Sequence, residues 1–344
     1  MIVFRADGND KVGYGHVFRC LSIADALSTR GEKCTFLLAG EDMLPWVKDR
    51  GHEARILGTR YDDMESEIPC LASVLRELSP RMIVVDSYYV TEKYLNSLME
   101  LTKVAYVDDL ASFPYPAMLL INYNVYGPSY DYRSIYEKAQ KSLPELLLGP
   151  TYVPLRKQCQ GLPARKVRER VKDVLISTGG TDPLHLAMAL MRKISRDQES
   201  KNIHFHFLVG SGNPDKETLF QLAEELENVS IHYNLPEVTS LFMKCDLAIS
   251  ASGSTLYELC ACGTPTVTYA MADNQLPGNL AFESMGLMIS AGDLRTIENR
   301  EEILWSAMEQ LSSDLEKRME LSQKMQAIVD GKGADRLAKA LLEL

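Results

Sequence analysis

Short apolar runs alternate along this chain with stretches whose apolar residues recur at helical spacing. In the first half, Ile2 to Ala6, Cys34 to Ala39, Met82 to Val85, Lys103 to Val107 and Met118 to Ile121 read as strands. Helical spacing fills Val17 to Leu27, Met43 to Arg50, Leu71 to Leu78 and Lys93 to Leu101. The second half repeats the alternation. Strands are predicted at Val174 to Ile176, His206 to Val209, Val229 to His232, Leu247 to Ser250 and Thr266 to Tyr269. Helices are predicted at Leu184 to Ile194, Leu219 to Leu226, Val238 to Lys244 and Leu256 to Cys262, with helical patterns from Glu301 to Ile328 and Asp335 to Leu342 closing the chain. Strands apolar on both faces and separated by helices imply parallel sheets covered on two sides, so each half reads as a doubly wound α/β lobe.

Length supports two lobes, because 344 residues exceed the roughly 250–300 at which one core stops growing. The expected division is residues 1–155, a linker at 156–172 and a second lobe at 173–344. The linker holds seven basic residues and one acid in a chain of net charge −10. It reads as a solvated helix, or as a strap that brings Arg156 to a cleft between the lobes. The acidic balance argues against nucleic-acid binding through bulk electrostatics. Apolar runs fall short of the roughly 18–20 residues of a membrane span, and Met1 leads directly into a strand, so a cytoplasmic protein with no membrane partner is expected. The seven cysteines are scattered, and the Cys260/Cys262 pair lacks a second pair of ligands, so buried free thiols are expected rather than a metal.

The candidate chemistry gathers where strands end. The first strand runs through Arg5-Ala6 into Asp7-Gly8, and the next helix opens at Val12-Gly13-Tyr14-Gly15-His16. Such a turn lies at the carboxyl edge of a doubly wound sheet, where ligands bind. Gly13 and Gly15 allow close backbone approach, but no third glycine follows and His16 and Arg19 stand where small residues would pack, so a nicotinamide cofactor is not expected. His16 presents the residue type best suited to proton transfer, or else simply bonds a neighbouring loop. Asp86-Ser87-Tyr88, Asp108-Asp109 and Asn122-Tyr123-Asn124 end three further strands at the same edge. Each alone reads as a turn or cap; together they read as a pocket.

In the second half, Ser177-Thr178-Gly179-Gly180-Thr181-Asp182 and Ala251-Ser252-Gly253-Ser254-Thr255 each join a strand to a helix, the first with Pro183 in the opening turn. Gly-Ser-Thr at a helix start offers amides and hydroxyls to an anion, a plausible diphosphate cradle. Glu258 lies one turn on, placed for ribose hydroxyls or for a near-match to a capping box. Asn274 and Gln275 add amides to the same edge.

In this order, the motifs resemble those of the UDP-2,4-diacetamido-2,4,6-trideoxy-β-L-altropyranose hydrolases of pseudaminic acid biosynthesis, hydrolytic relatives of the two-lobed (GT-B) nucleotide-sugar glycosyltransferases. They are Arg-Ala-Asp at 5–7, Gly-x-Gly-His-Val-x-Arg-Cys-Leu at 13–21, Asp86-Ser87-Tyr88, Asp108-Asp109, Asn122-Tyr123-Asn124, Tyr152-x-x-Leu-Arg156, Ser177-x-Gly-Gly-x-Asp182, Ser250 to Thr255 with Glu258, and Asn274-Gln275. Sequences labelled as spore-coat polysaccharide biosynthesis proteins are also similar. Residues 7–11 depart from the family pattern, where small or hydroxyl residues follow the Asp; if this loop touches the sugar, the departure bears on which sugar is bound. The resemblance implies two Rossmann-like lobes facing across a cleft, with UDP on Gly179, Gly180, Ser252, Gly253, Ser254, Thr255, Glu258, Asn274 and Gln275. The sugar would lie by Asp7, Gly13, Gly15, Asp86 and Tyr88, with Arg156 assisting the diphosphate. It further implies inverting hydrolysis at the anomeric carbon with His16 as base and Tyr88 beside it, needing neither metal nor cofactor; Asp86, Asp108 and Asp109 are either acceptors for the sugar or metal ligands. A glycosyltransferase with a sugar or lipid acceptor, and a nucleotide-sugar binding protein without chemistry, are the alternatives.

Overall fold

The computed structural model describes residues 1–9, 11–197, 199–233, 235 and 237–344, with only the backbone of Glu199. The chain folds as two compact units, 1–157 with 332–344, and 158–331.

The first unit contains strands β1 (Ile2–Ala6), β2 (Cys34–Leu38), β3 (Glu53–Ile56), β4 (Met82–Asp86), β5 (Lys103–Val107), β6 (Leu119–Asn122) and β7 (Glu145–Leu148). They form one parallel sheet in the order β3-β2-β1-β4-β5-β6-β7. Its helices are α1 (Gly15–Ser28), α2 (Leu44–Asp49), α3 (Met64–Leu78), α4 (Glu92–Met99) and α5 (Tyr132–Lys138). β1 and β4 are buried along their whole length, the state that an apolar run without alternation implies. Arg5 is the exception in composition. It is fully buried in β1, and its guanidinium forks onto Glu67 of α3 at 2.7 and 2.8 Å and also binds Asp7.

The second unit contains β8 (Asp173–Ser177), β9 (His204–Val209), β10 (Val229–Tyr233), β11 (Leu247–Ala251), β12 (Thr266–Ala270) and β13 (Ile289–Asp293), parallel in the order β10-β9-β8-β11-β12-β13. Its helices are α6 (Leu186–Arg196), α7 (Lys216–Glu224), α8 (Thr239–Lys244), α9 (Thr255–Cys262), α10 (Leu276–Ser284), α11 (Arg300–Ser313) and α12 (Leu315–Ile328). Both sheets reverse strand order beside their first strand, the point where open α/β sheets leave room for a ligand.

The structure corrects several expectations. The final helix, α13 (Gly333–Glu343), belongs to the first unit and not to the second lobe. Its buried stripe of Ala334, Leu337, Ala338 and Leu341 is secured by Arg336 donating to the Thr151 carbonyl at 3.0 Å and by the pair Arg30–Asp335. Gly333 is required there, since a Cβ would stand 2.1 Å from the Val153 carbonyl oxygen. The basic segment is not a helix: beyond a short turn at Lys157–Cys159 it holds neither helix nor strand before β8. Arg165 donates to the carbonyls of Phe242, Cys245 and Cys262 at the ends of α8 and α9, where such groups lack helical partners. Strands β3, β7 and β13 went unpredicted because they are edge strands with polar or half-exposed residues. α5 and α10 also went unpredicted. α3 extends upstream of its predicted start through Pro69, which reads in sequence as a breaker, and the long pattern after Glu301 is two helices parted at Asp314. All seven cysteines are free thiols, six of them buried and Cys70 exposed.

Candidate active site

The β1–α1 connection opens with Asp7, whose Oδ1 accepts the Ala39 amide at 2.7 Å and whose other oxygen accepts Arg5. Asn9 and Gly13 then exchange two backbone hydrogen bonds, closing a tight turn. Gly13 has φ +76°, a conformation that favours glycine, and the space where a Cβ would stand at Gly13 or Gly15 is open. α1 begins at Gly15, so His16 and Arg19 fall one turn apart on one helix face.

These two side chains meet the ends of β4, β5 and β6. His16 Nδ1 lies 2.6 Å from Asp86 Oδ1. The Arg19 guanidinium donates to both oxygens of Asp86 at 2.5 Å, to Asp109 at 3.0 to 3.2 Å and to the Tyr123 hydroxyl at 2.8 Å. Asn124 donates to Asp109 at 2.7 Å, and the Tyr88 hydroxyl donates to the same carboxylate at 2.8 Å. The Tyr88 ring stands edge-on to His16, centroids 4.6 Å apart. A carboxylate oxygen only accepts, so the His16–Asp86 bond requires the hydrogen on Nδ1; the nearby Arg19 Nη2, 3.1 Å from Nδ1, is then a contact between two donors. The neutral ring therefore keeps its lone pair on Nε2.

Burial opposes ionisation of Asp86, but the Arg19 charge and the His16 bond outweigh it and hold the carboxyl well below the usual range. The same contest, won by Arg19, lowers Asp109. Burial and the Asp109 charge push the Tyr88 phenol far upward, so it stays a donor. Burial likewise raises Tyr123, to about 12.

Sequence reasoning underrated Arg19, which binds both carboxylates, and placed Asp108 with Asp109 as equals. Asp108 instead accepts the Leu110 and Ala111 amides and the Tyr132 hydroxyl, closing its own loop. The signal for Arg19 was present: it shares a helix face with His16 opposite three strands ending in polar residues. Neither Asp86 nor Asp109 stands uncommitted, since Arg19 holds both. Among the described residues no group of three or more His, Cys, Asp or Glu is arranged to hold a metal.

In the second unit the loops after β8, β11 and β12 converge. A Cβ on Gly179 (φ +82°) would stand 3.1 Å from Met271 and 3.9 Å from Ala251. Gly180 accepts the Gly212 amide at 3.0 Å, and any side chain at Gly210 would strike Gly179 and Gly180, a partner loop that sequence reasoning missed. Gly253 and Ser254 are exposed at the start of α9, where their carbonyls accept the Leu256 and Tyr257 amides at 3.1 Å, and Thr255 is half-buried beside them. Glu258 is half-buried in the first turn.

Three predicted side chains play other parts. Ser252 is buried, bonded to Thr268 at 2.8 Å and accepting Asn279 at 2.9 Å, so its hydroxyl faces inward. Gln275 ties off its own loop by accepting the Met271 amide at 2.9 Å, while Asn274 is exposed. Asp182, buried with φ +43°, caps α6 by accepting the Leu186 and Ala187 amides, so Pro183 precedes the helix rather than opening it. Arg156 is half-buried beside the turn that begins at Lys157.

Comparison with known proteins adds three kinds of finding. Residues 174–279 match the glycosyltransferase family 28 C-terminal domain, a stretch that contains all three converging loops. The Bacillus subtilis spore coat polysaccharide biosynthesis protein SpsG is 22% identical over 98% of this chain and 97% of its own. The UDP-2,4-diacetamido-2,4,6-trideoxy-β-L-altropyranose hydrolase of Campylobacter jejuni is 22% identical over 75% of this chain and 86% of its own. An uncharacterised protein of Methanocaldococcus jannaschii is 24% identical over 77% of this chain, and the match spans only about half, 54%, of that protein. Among solved structures, Acinetobacter baumannii MurG superposes with TM-score 0.69 at 12% identity over 100% of this chain and 99% of its own. The kitacinnamycin glycosyltransferase superposes with TM-score 0.70 at 16% identity over 99% and 98%. The fold is that of the GT-B glycosyltransferases, and the resemblance to the altropyranose hydrolases stands.

Proposed function

We propose that this protein is an enzyme of nucleotide-sugar metabolism that hydrolyses a UDP-linked 2,4-diacetamido-2,4,6-trideoxy sugar, releasing UDP with inversion. The observation that carries the proposal is the Asp86–His16 pair, which fixes the imidazole with Nε2 as its free base. Nε2 takes a proton from water while the water oxygen attacks the anomeric carbon; the C–O bond breaks and its electron pair leaves with the diphosphate. Two carboxylates face one guanidinium beside His16, a surplus of negative charge that favours a proton arriving on the ring. A diphosphate needs charge stabilisation more than an acid. In this reading the α9 amides at Ser254 and Thr255 supply it, assisted by Arg156, and Glu258 binds the ribose. Tyr88 orders the His16 ring and the sugar beside it.

The similarity to the Campylobacter hydrolase supports hydrolysis. The family 28 match favours a second reading, transfer to a sugar or lipid acceptor. A panel of UDP-sugars without acceptor separates them: hydrolysis yields UDP and free sugar together, and transfer yields UDP only when an acceptor is added. In ¹⁸O-labelled water the label enters the sugar if the C–O bond breaks; label in UDP overturns the assignment of His16.

A further inference from the structure

Beside the β1–α1 turn, on the side away from Asp86, the first unit carries an open pocket of about 200 Å³ at the carboxyl ends of β1 and β2. Asp7, Asn9, Gly40, Asp42, Thr59 and Tyr61 supply its polar and backbone lining, with Leu38, Ala39 and Met43 as the apolar part. It is smaller than the roughly 300–1,000 Å³ of drug-sized sites, the scale of one sugar ring or its substituent.

The lining selects a chemistry. Among the described residues the lining holds two carboxylates, Asp7 and Asp42, and no lysine or arginine, so it disfavours a phosphate and welcomes a hydrogen-bond donor. Asp7 is held rigid by Arg5 and the Ala39 amide, yet each carboxylate oxygen has a second lone pair to offer. Asn9 Oδ1 is occupied by the Lys11 and Val12 amides, which leaves its NH₂ to donate. Acceptors, a donor and an apolar wall in one small space match an acetamido group: N–H to carboxylate, carbonyl to amide, methyl against Met43. Gly8 keeps that wall close, since a Cβ there would press within 3.0 Å of Met43. The lining connects to the His16 site only through neighbouring aromatic rings. Tyr61 packs edge-on to Tyr89 at 5.7 Å, and Tyr88, the next residue, packs on His16.

We propose that this cavity is the recognition site for an acetamido substituent of the sugar, and hence a determinant of which sugar is accepted. The proposal rests on the hydrolase reading and refines it. Two variants test it. Gly40→Leu adds bulk at an exposed lining position, where a Cβ would stand 3.8 Å from Asp42, and Asp42→Ala removes one carboxylate from the surface. Amide NMR spectra of the full chain are titrated with N-acetylglucosamine, glucose and inorganic phosphate. The expected result is saturable shifts at Gly40 and Thr59 with the acetamido sugar only, abolished in Gly40→Leu. With UDP-diacetamido sugar, KM rises about tenfold in both variants, the equivalent of one lost hydrogen bond to a charged group, while UDP affinity is unchanged. If hydrolysis proceeds and neither variant alters KM or the shifts, the cavity proposal falls and the reaction stands. If no UDP-sugar is hydrolysed but the sugar still shifts Gly40 and Thr59, the reaction falls and the cavity stands.

Discussion

The two sheets follow the same strand order, the first with one strand more, but the chemistry mounted at their carboxyl edges is opposite. In the first unit the strand ends deliver two buried carboxylates, and α1 delivers an arginine and a histidine, into a single charged cage. In the second, the corresponding ends deliver glycines and hydroxyls; Asp182 is spent on capping α6, and the remaining network, Thr268, Ser252, Asn279 and Ser290 in a chain, is neutral. A charged cage costs desolvation and is justified where charge moves. A neutral edge with exposed helix amides suits holding an anion that is already formed. The topology is thus a mount, and the residue types at strand ends decide the work each unit can do.

That contrast can be broken most directly at His16. His16→Asn should cut hydrolysis by about 10²–10⁴-fold, as loss of a general base does, and leave UDP affinity intact because the proposed UDP cradle belongs to the other unit. Turnover within about threefold of the parent would move the base elsewhere.

Arg19→Gln comes next. It strands Asp86 and Asp109 without a counter-charge, and breaking a buried pair in this way costs about 3–5 kcal/mol. Denaturant unfolding of the first unit at pH 7 measures it. The sign with pH is determined by the lowered carboxyls: their stabilisation is complete above the unfolded carboxyl pKa and is lost as pH falls through the folded one. The variant lacks that contribution, so its deficit should shrink on acidification; a deficit independent of pH would show that Arg19 acts through packing alone.

Glu258→Ala should weaken UDP binding by about 1–3 kcal/mol through a lost charged hydrogen bond, with kcat at saturating substrate little changed. Unchanged affinity by calorimetry would make Glu258 a helix residue only.

The smallest effect concerns acid. In the second unit, burial lowers His206, and His232 beside it at 3.0 Å, while His206 also bonds Asp173, itself held at about 2. Histidines with lowered folded pKa stabilise fully above their unfolded value and progressively less below it. The second unit should therefore begin to lose stability below about pH 6.5, before the carboxylates of the first unit respond. Unit-resolved hydrogen exchange at pH 7, 6 and 5 checks the order, and simultaneous loss would contradict it.

Much of this was legible in the chain. Central strands such as β1 and β4 announce themselves because both faces are buried, and an unbroken apolar run has no other stable home in a protein of this composition. Their polar ends could be read as converging because parallel strands finish on one edge, which places His16, Asp86, Tyr88 and Asp109 side by side. Edge strands such as β3 were less legible, since exposure removes the apolar signal.

Pattern alone determined the two sheets, the edge that carries chemistry and the charge-rich character of one edge against the hydroxyl-rich character of the other. Those follow from local periodicity and from parallel topology. Tertiary structure alone decided three things. It sent α13 back to the first unit, because an amphipathic stripe states that a face must be covered but not by what. It turned Ser252 inward while leaving Ser254 exposed, because a hydroxyl's direction depends on which neighbour satisfies it. It also made Arg19 the centre of the cage, because a guanidinium shared among three strand ends is a property of where those ends meet, and no segment of sequence contains that point.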